Sequence, residues 1–373
     1  VTNSRVVIMA ENPWRPSAGD NESSLYIAQL ANNELTYEKK HELNFGIDAG
    51  FLNNRINFTF DIYSRRNYDL IGVINTLGTG GEPRKYGNVA KMKSNGVEIA
   101  LNTVNIKTKD FTWTTDLIYS HMHNEVTELN TLNRMYDYIS GSGFTMPGYP
   151  QRSLFSIPFM GLNNEGLPTF LDQDGNVSVT GINMQEYDPE RLKFLKYEGP
   201  VDPTDVGSLG NVFRYKGVTL NLFITYSFGN VVRLDPVFSS SYSDLTATPK
   251  EFKDRWVKPG DENFTNVPVI ASKQQLNNIA YLSTAYQAYN YSTERVAKGD
   301  FIRMKEISLG YEFPKSITQP LRLSNLSLKL MATNLFLIYA DKKLNGQDPE
   351  FFNAGGVANP MPKQFTLTLK LGI

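Results

Sequence analysis

The chain has 373 residues, no cysteine, and 37 basic against 38 acidic side chains, for a formal net charge of -1. Near-neutrality without a basic stripe excludes a nucleic-acid binder held by phosphate contacts, and the lack of thiols excludes a disulfide framework, thiolate catalysis and Cys-ligated zinc. Hydrophobic residues make up 40% of the sequence, yet no uninterrupted apolar run reaches the roughly 18 residues that a spanning helix needs.

Apolar and polar residues alternate along the whole sequence, the period of a strand that sends successive side chains to opposite faces. Leu43, Phe45, Ile47, Ala49 and Phe51 alternate with Asn44, Gly46, Asp48 and Gly50. Ile56, Phe58, Phe60 and Ile62 then alternate with Asn57, Thr59 and Asp61, and the short Leu52–Asn54 segment between the two runs marks a hairpin. Further along, Phe111, Trp113, Leu117 and Tyr119 stand against Thr112, Thr114 and Asp116; Val218, Leu220, Leu222, Ile224 and Tyr226 stand against Thr219, Asn221, Thr225 and Ser227. The last run sets Phe365, Leu367, Leu369 and Leu371 against Gln364, Thr366, Thr368 and Lys370. The pattern predicts about eleven strands, at 41–51, 55–68, 92–104, 110–126, 153–162, 167–172, 207–215, 218–229, 300–313, 324–338 and 364–373, with a twelfth candidate in residues 1–10.

The connections fall into two classes. Short turns sit near 52–54, 105–109, 163–166, 216–217 and 314–323, and long links cover 69–91, 127–152, 173–206, 230–299 and 339–362. With every short turn on one side, parity requires an extra strand between Phe159 and Val206, which is why 167–172 is included. Loops of that length are uncommon in compact soluble domains. Antiparallel strands with one apolar face, short turns at one end and long loops at the other describe a transmembrane β-barrel of the bacterial outer membrane. Hydrocarbon offers backbone groups no partners, so a sheet spans it only when closed, with apolar side chains outward and polar ones lining the lumen. Tyr63, Tyr68, Tyr119, Tyr226, Phe228, Tyr311 and Phe313 are placed in the interfacial girdles. A soluble β-sandwich or propeller would use the same alternation to pack a core, but it does not account for the short and long asymmetry.

The residues also resemble a known family, the SusC/RagA-like TonB-dependent transporters of Bacteroidetes. The resemblance rests on Tyr37-Glu38-Lys39-Lys40 leading into Leu43-Asn44-Phe45-Gly46-Ile47-Asp48, on Gly87-Asn88-Val89, and on Asn95-Gly96-Val97-Glu98-Ile99. Downstream it includes Gly166-Leu167-Pro168, Asp172-Gln173-Asp174-Gly175, Phe213-Arg214-Tyr215-Lys216-Gly217 and Tyr226-Ser227-Phe228-Gly229-Asn230. It continues through Arg255-Trp256, Pro259-Gly260-Asp261, Gly299-Asp300-Phe301-Ile302-Arg303-Met304-Lys305-Glu306-Ile307 and Asp348-Pro349-Glu350. Members of that family carry a plug domain and a TonB box ahead of a barrel of roughly 22 strands. The resemblance therefore implies that residues 1–373 form the C-terminal half of such a barrel, with the plug and the N-terminal strands outside this sequence. It also implies import of bulky nutrients, glycans or peptides, across the outer membrane, powered through TonB and capped by a SusD-like surface lipoprotein. Outer-membrane lipid and an oligosaccharide or peptide ligand complete the expected partners, and no cofactor is implied.

Candidate chemistry is sparse. Tyr136, Tyr138, Tyr149, Trp256, Tyr286, Tyr289 and Tyr291 lie in the long links, where aromatic faces can stack on sugar rings or peptide side chains, and they are the candidate ligand-binding residues. Packing of the loops, or contact with the lipoprotein, accounts for the same tyrosines equally well. Asp172, Asp174 and Asn176 open like a calcium loop, but an EF-hand counted from Asp172 needs Gly and Glu where Val177 and Asn183 stand, so a hairpin turn is the better reading. His121 and His123 share a strand face with no third metal ligand nearby, and Gly78, Gly80 and Gly81 lack the Lys and Ser/Thr of a phosphate cradle. No nucleophile elbow or zinc-protease motif occurs, so no catalytic or metal residue is assigned and an enzyme is not expected. Two further readings, a plug-less porin or adhesin-like barrel and a soluble β-rich binding protein, use the same strands.

Overall fold

The computed structural model describes residues 7–11, 24–76, 78–79, 84–131, 133–141, 143–238, 250–352 and 362–372. Its strands in chain order are β1 (Val7–Glu11), β2 (Ser24–Gln29), β3 (Lys39–Phe51), β4 (Ile56–Asn75), β5 (Arg84–Lys107), β6 (Phe111–Leu129), β7 (Ser153–Ser156), β8 (Phe159–Leu162) and β9 (Pro168–Leu171). They continue with β10 (Val177–Ser178), β11 (Lys196–Pro200), β12 (Asp205–Tyr215), β13 (Val218–Phe228), β14 (Val231–Arg233), β15 (Val296–Lys298), β16 (Phe301–Glu312), β17 (Asn325–Ala340) and β18 (Gln364–Gly372). Four short helices, α1 (Met135–Ile139), α2 (Lys273–Asn278), α3 (Leu282–Asn290) and α4 (Lys315–Thr318), lie in the connections.

Nine strands make one sheet in the order β3-β4-β5-β6-β12-β13-β16-β17-β18, so every neighbour in space is the next long strand in sequence. All pairings are antiparallel. Short connections at 52–55, 108–110, 216–217 and 313–324 gather at one end, and 76–83, 130–204, 229–300 and 341–363 at the other. At the tightest turn Lys216 and Gly217 take φ of 46° and 91°, the left-handed pair whose twist matches that of the flanking strands.

The register carries the predicted alternation across the sheet. Ile47, Phe60, Ile99 and Tyr119 are successive partners, and so are Leu209 and Ile224, then Leu309, Leu330 and Leu367. These apolar residues form one continuous face, and it is open. Phe365, Leu367, Leu369 and Leu371 remain 54–72% exposed, whereas the buried core lies in the loops. A soluble sandwich would bury this face against a second layer. An exposed apolar face on a long antiparallel sheet is instead the lipid-facing wall of a barrel.

Four expectations are corrected. The predicted strands 153–162 and 167–172 do not cross the membrane: they become β7, β8 and β9, each four residues long, in two- and three-stranded sheets outside the large one. Four residues reach only ~13 Å, far short of the roughly 9–11 residues that a crossing needs. Both drop out together, so parity holds and the large sheet has nine strands where eleven or twelve were expected. The twelfth candidate appears as β1, but it pairs with β2 in a separate two-stranded sheet, and residues 1–6 lie outside the described residues.

The predicted link 69–91 shrinks to 76–83, because β4 and β5 run to 20 and 24 residues. Beyond residue 68 the strands project past the hydrocarbon, where no contrast between lipid and lumen imposes alternation and the sequence signal fades. Tyr63 leaves the outer girdle. It is 6% exposed on the opposite face from Ile62, its ring occupying the space where a Cβ on Gly96 would sit, with the Arg65 guanidinium 3.8 Å from its centroid.

The outer edges of β3 and β18 have no strand partner among the described residues. Backbone groups on such edges cannot stay unpaired in hydrocarbon, so further strands must complete the cylinder.

Replacing outward Phe60 with Lys should destabilise the barrel by about 2–4 kcal/mol if it sits near the bilayer midplane, and replacing inward Thr59 should cost much less. Urea unfolding of the two variants in liposomes measures both, and equal costs would contradict the face assignment.

Candidate functional site

The links 130–204 and 229–300 fold together into a layer over one end of the sheet. β7 pairs with β11, β8 with β9, β9 with β10, and β14 with β15. The two links are stitched at Ile157, whose amide donates to the Tyr291 carbonyl at 3.1 Å while its carbonyl accepts from the Thr293 amide at 3.0 Å. Beneath the stitch lies a shared apolar core that includes Met135, Ile139, Phe155, Ile157, Phe170, Leu282 and Tyr289. Two ion pairs hold the layer's base: buried Arg295 donates to partly buried Glu251 at 3.0 Å, and Arg303 on β16 pairs with Asp348 in the last long loop, both buried.

Six of the seven candidate aromatic residues converge on this core, in two kinds of setting. Tyr138, Tyr286 and Tyr289 are packing residues. Tyr138 meets Phe144 and Phe155 edge-on at 5.1 and 6.1 Å, and the Tyr286 hydroxyl donates to the Val269 carbonyl at 2.6 Å. Tyr289 has no exposed surface, and burial pushes its hydroxyl well above the usual phenol range. Trp256 lies apart from them, donating from Nε1 to Glu262 at 2.9 Å while its ring covers Gly166. At Gly166, φ is +75° and a Cβ would come within 2.4 Å of the indole, so glycine alone serves both the turn and the contact.

Tyr136, Tyr149 and Tyr291 are only partly buried. Tyr149 lies 4.8 Å from Tyr197, and Tyr136 stands edge-on to Tyr291 at 5.9 Å. Burial, with the neighbouring Tyr136 hydroxyl, pushes the Tyr291 pKa up to about 12.

Tyr136 also borders a cavity of about 620 Å³ in the loop layer. Its other walls come from the 180–185 segment and from Tyr281, Thr284 and Gln287 at the start of α3. Arg134 is the one cation on the wall, and it is largely neutralised: its guanidinium donates to Asp137 at 3.1 and 3.3 Å and to Gln185 at 3.2 Å. Burial opposes ionisation of Asp137, but hydrogen bonds from the Arg134 side chain and amide outweigh it and hold the carboxyl below its ordinary value. The remaining polar lining groups are uncharged amides, hydroxyls and phenols, which donate and accept hydrogen bonds without selecting a charge, and Ile182 and Met184 add apolar surface. Tyr281 is 73% exposed and takes a left-handed φ of 62°, a strained conformation for a non-glycine residue.

Asn183, Gln185, Thr284 and Gln287 gave no signal in the sequence, because isolated neutral polar residues in loops look like any solvated surface. The Arg134 and Asp137 spacing of three was the one visible cue. The acidic segment at 172 is a hairpin turn: Asp172 Oδ1 accepts from the amides of Asp174 and Asn176 at 3.0 and 2.9 Å. His121 and His123 do share the outer face, and His121 Nδ1 is 2.8 Å from Asp205. Of the glycine cluster only Gly78 is described; Gly80 and Gly81 lie outside the described residues.

Residues 14–243 match the family of TonB dependent receptor-like β-barrels. The chain belongs to that family. SusC, a TonB-dependent receptor of Bacteroides thetaiotaomicron, is 26% identical over 95% of this chain and 34% of its own length. A TonB-dependent receptor of Formosa agariphila is 26% identical over 89% of this chain and 34% of its own length. Among solved structures, the RagAB peptide transporter superposes with a TM-score of 0.73 at 23% identity, covering 99% of this chain and 38% of the other, a likeness of fold. The chain thus spans about a third of the length of the curated relatives it matches. The family consists of receptors and transporters of the bacterial outer membrane and not of enzymes, as the sparse candidate chemistry suggested.

Tyr289→Ala removes a fully buried ring and should destabilise the loop layer by about 3–5 kcal/mol. Limited proteolysis checks it: cuts should appear in 130–204 and 229–300 while the barrel fragment survives. Unchanged protection would show that the ring does not hold the layer.

Proposed function

We propose that this chain is the C-terminal barrel portion of a SusC/RagA-type importer, the plug and the other strands lying in further parts of the receptor. Both the unpaired edges of the nine-stranded sheet and the coverage of about a third of each relative support this reading. The complete receptor takes up bulky nutrients, glycans or peptides, across the outer membrane. Its energy comes from TonB acting on the plug, and a SusD-like lipoprotein closes the extracellular mouth.

The observation that carries the proposal is the folded loop layer with its cavity of about 620 Å³. A plain porin needs a bore and no such layer; a receptor needs a rigid, partly apolar surface that holds cargo before it is moved. Uncharged hydrogen-bonding groups beside Tyr136 and Tyr281 suit sugar hydroxyls or peptide amides, with ring faces available for stacking. Of the candidate aromatic residues, Tyr136, Tyr149 and Tyr291 are those with surface to offer a ligand. Tyr138, Tyr286 and Tyr289 pack in the core beside them, and Trp256 lies apart over Gly166. The lipoprotein would rest on exposed apolar points of the same layer, such as Phe264 at 90% exposure and Val257 at 67%.

Alanine at Tyr136, Gln185 and Tyr281 together should weaken cargo binding by the complete receptor roughly ten- to hundredfold, the sum of a few net hydrogen bonds and a stacking contact. Calorimetry with oligosaccharide and peptide mixtures measures it. Unchanged affinity for every cargo that the unaltered receptor binds would remove this cavity from the transport path.

A further inference from the structure

We propose that the outer wall of the barrel carries a seat for one phosphorylated glycolipid of the outer leaflet, formed by a groove across β3 to β6 with Arg66 one pleat above its upper end. This goes beyond the import reading, because it concerns the lipid-facing side of the wall and not the lumen.

The register sets out the site row by row. Phe45, Ile62, Val97 and His121 are successive partners on the outer face, and one pleat nearer the long loops come Leu43, Ser64, Asn95 and His123. In that second row the bulky residues give way to the small Ser64 and to Asn95. The result is an almost wholly apolar groove of about 380 Å³, bounded by Leu43 and Phe45 on one side and the two histidines on the other. A groove of this kind suits an acyl chain, which gains dispersion contacts that a flat wall does not offer.

The next row up holds His41, Arg66, Lys93 and Glu125. Lys93 is taken by Glu125 at 2.8 Å, and His41 lies edge-on to Tyr68 at 5.4 Å. Beyond them Lys39 pairs with Asp69 at 2.7 Å and Lys91 with Glu128 at 2.5 Å. Three of the four cations in this band are thus matched by carboxylates. Arg66 is exposed and makes no hydrogen bond or ion pair among the described residues. The one unmatched charge stands two pleats, or ~13 Å, along β4 from Ile62 in the groove, about the distance from acyl chain to headgroup.

Long loops mark the extracellular end of such barrels, so this band lies at the headgroup level of the outer leaflet. A guanidinium there can take two phosphate oxygens at once, and it is less strongly hydrated than an ammonium. The charge selects an anionic headgroup over a zwitterionic one, and the groove selects a lipid over free phosphate. A phosphorylated glycolipid meets both demands.

Native mass spectrometry of the complete receptor, extracted from outer membranes and exposed to lipopolysaccharide in detergent, tests the assignment. The unaltered receptor should retain one lipopolysaccharide. Arg66→Glu should lower retention roughly tenfold or more, the loss expected of a charge-assisted hydrogen bond, and Ser64→Phe, which fills the groove and leaves the charge, should do the same. Arg66→Lys should keep part of the binding, and thermal unfolding of all variants should match the parent. A receptor that retains no lipopolysaccharide, retention unaffected by Arg66→Glu, or equal retention of a zwitterionic phospholipid would each overturn the proposal.

Discussion

A peptide group in hydrocarbon has no solvent to bond with, and the nine-stranded sheet is arranged around that fact. Every interior strand satisfies its amides and carbonyls on two neighbours, and sequential antiparallel pairing does so with short connections at one end. Once the backbone is paired, the side chains need only sort by face. That sorting is why Leu330 and Leu367 remain exposed on the sheet while Phe170 and Tyr289 are fully buried in the loops. The molecule keeps its soluble-type core outside the membrane and presents its apolar wall to lipid.

The same constraint explains which parts of the fold were legible. Where a strand separates lipid from lumen, each residue answers to one of two solvents, and alternation such as Phe365-Thr366-Leu367-Thr368-Leu369 identifies the strand and its orientation. Where the strand leaves the bilayer the pressure stops, so the outer parts of β4 and β5 look like loop in the sequence although their ladder hydrogen bonds continue. The short loop strands β7 and β9 failed in the opposite way. Their apolar residues answer to a packed core, and a buried run such as Leu154-Phe155 carries no information about the membrane. The inward place of Tyr63 is itself written in the alternation, since the parity that sends Ile62 outward sends its neighbour inward.

The candidate site was legible as a region more than as a set of residues. Aromatic residues concentrated in the long links do gather in one layer, but composition could not separate rings that build the layer from rings that face its cavity. That distinction depends on contacts between the two links, such as the stitch at Ile157 and the Arg233 guanidinium donating to the Ser156 hydroxyl, which join segments far apart in sequence. The neutral cavity wall was invisible for a related reason. Asn183, Gln185 and Gln287 acquire meaning only when α3 is laid against the 180–185 segment.

These 373 residues hold no cysteine, so single cysteines can be introduced into the strands one at a time and labelling compared with that of the unaltered receptor. Cysteines at outward Ile99, Leu330 and Leu367 and at inward Glu98, Lys329 and Thr366 would be treated in intact outer membranes with a charged, membrane-impermeant maleimide. The account predicts that the inward set reacts through the wet lumen while the outward set is protected by lipid. Equal labelling of both sets, or labelling of the outward set alone, would contradict it.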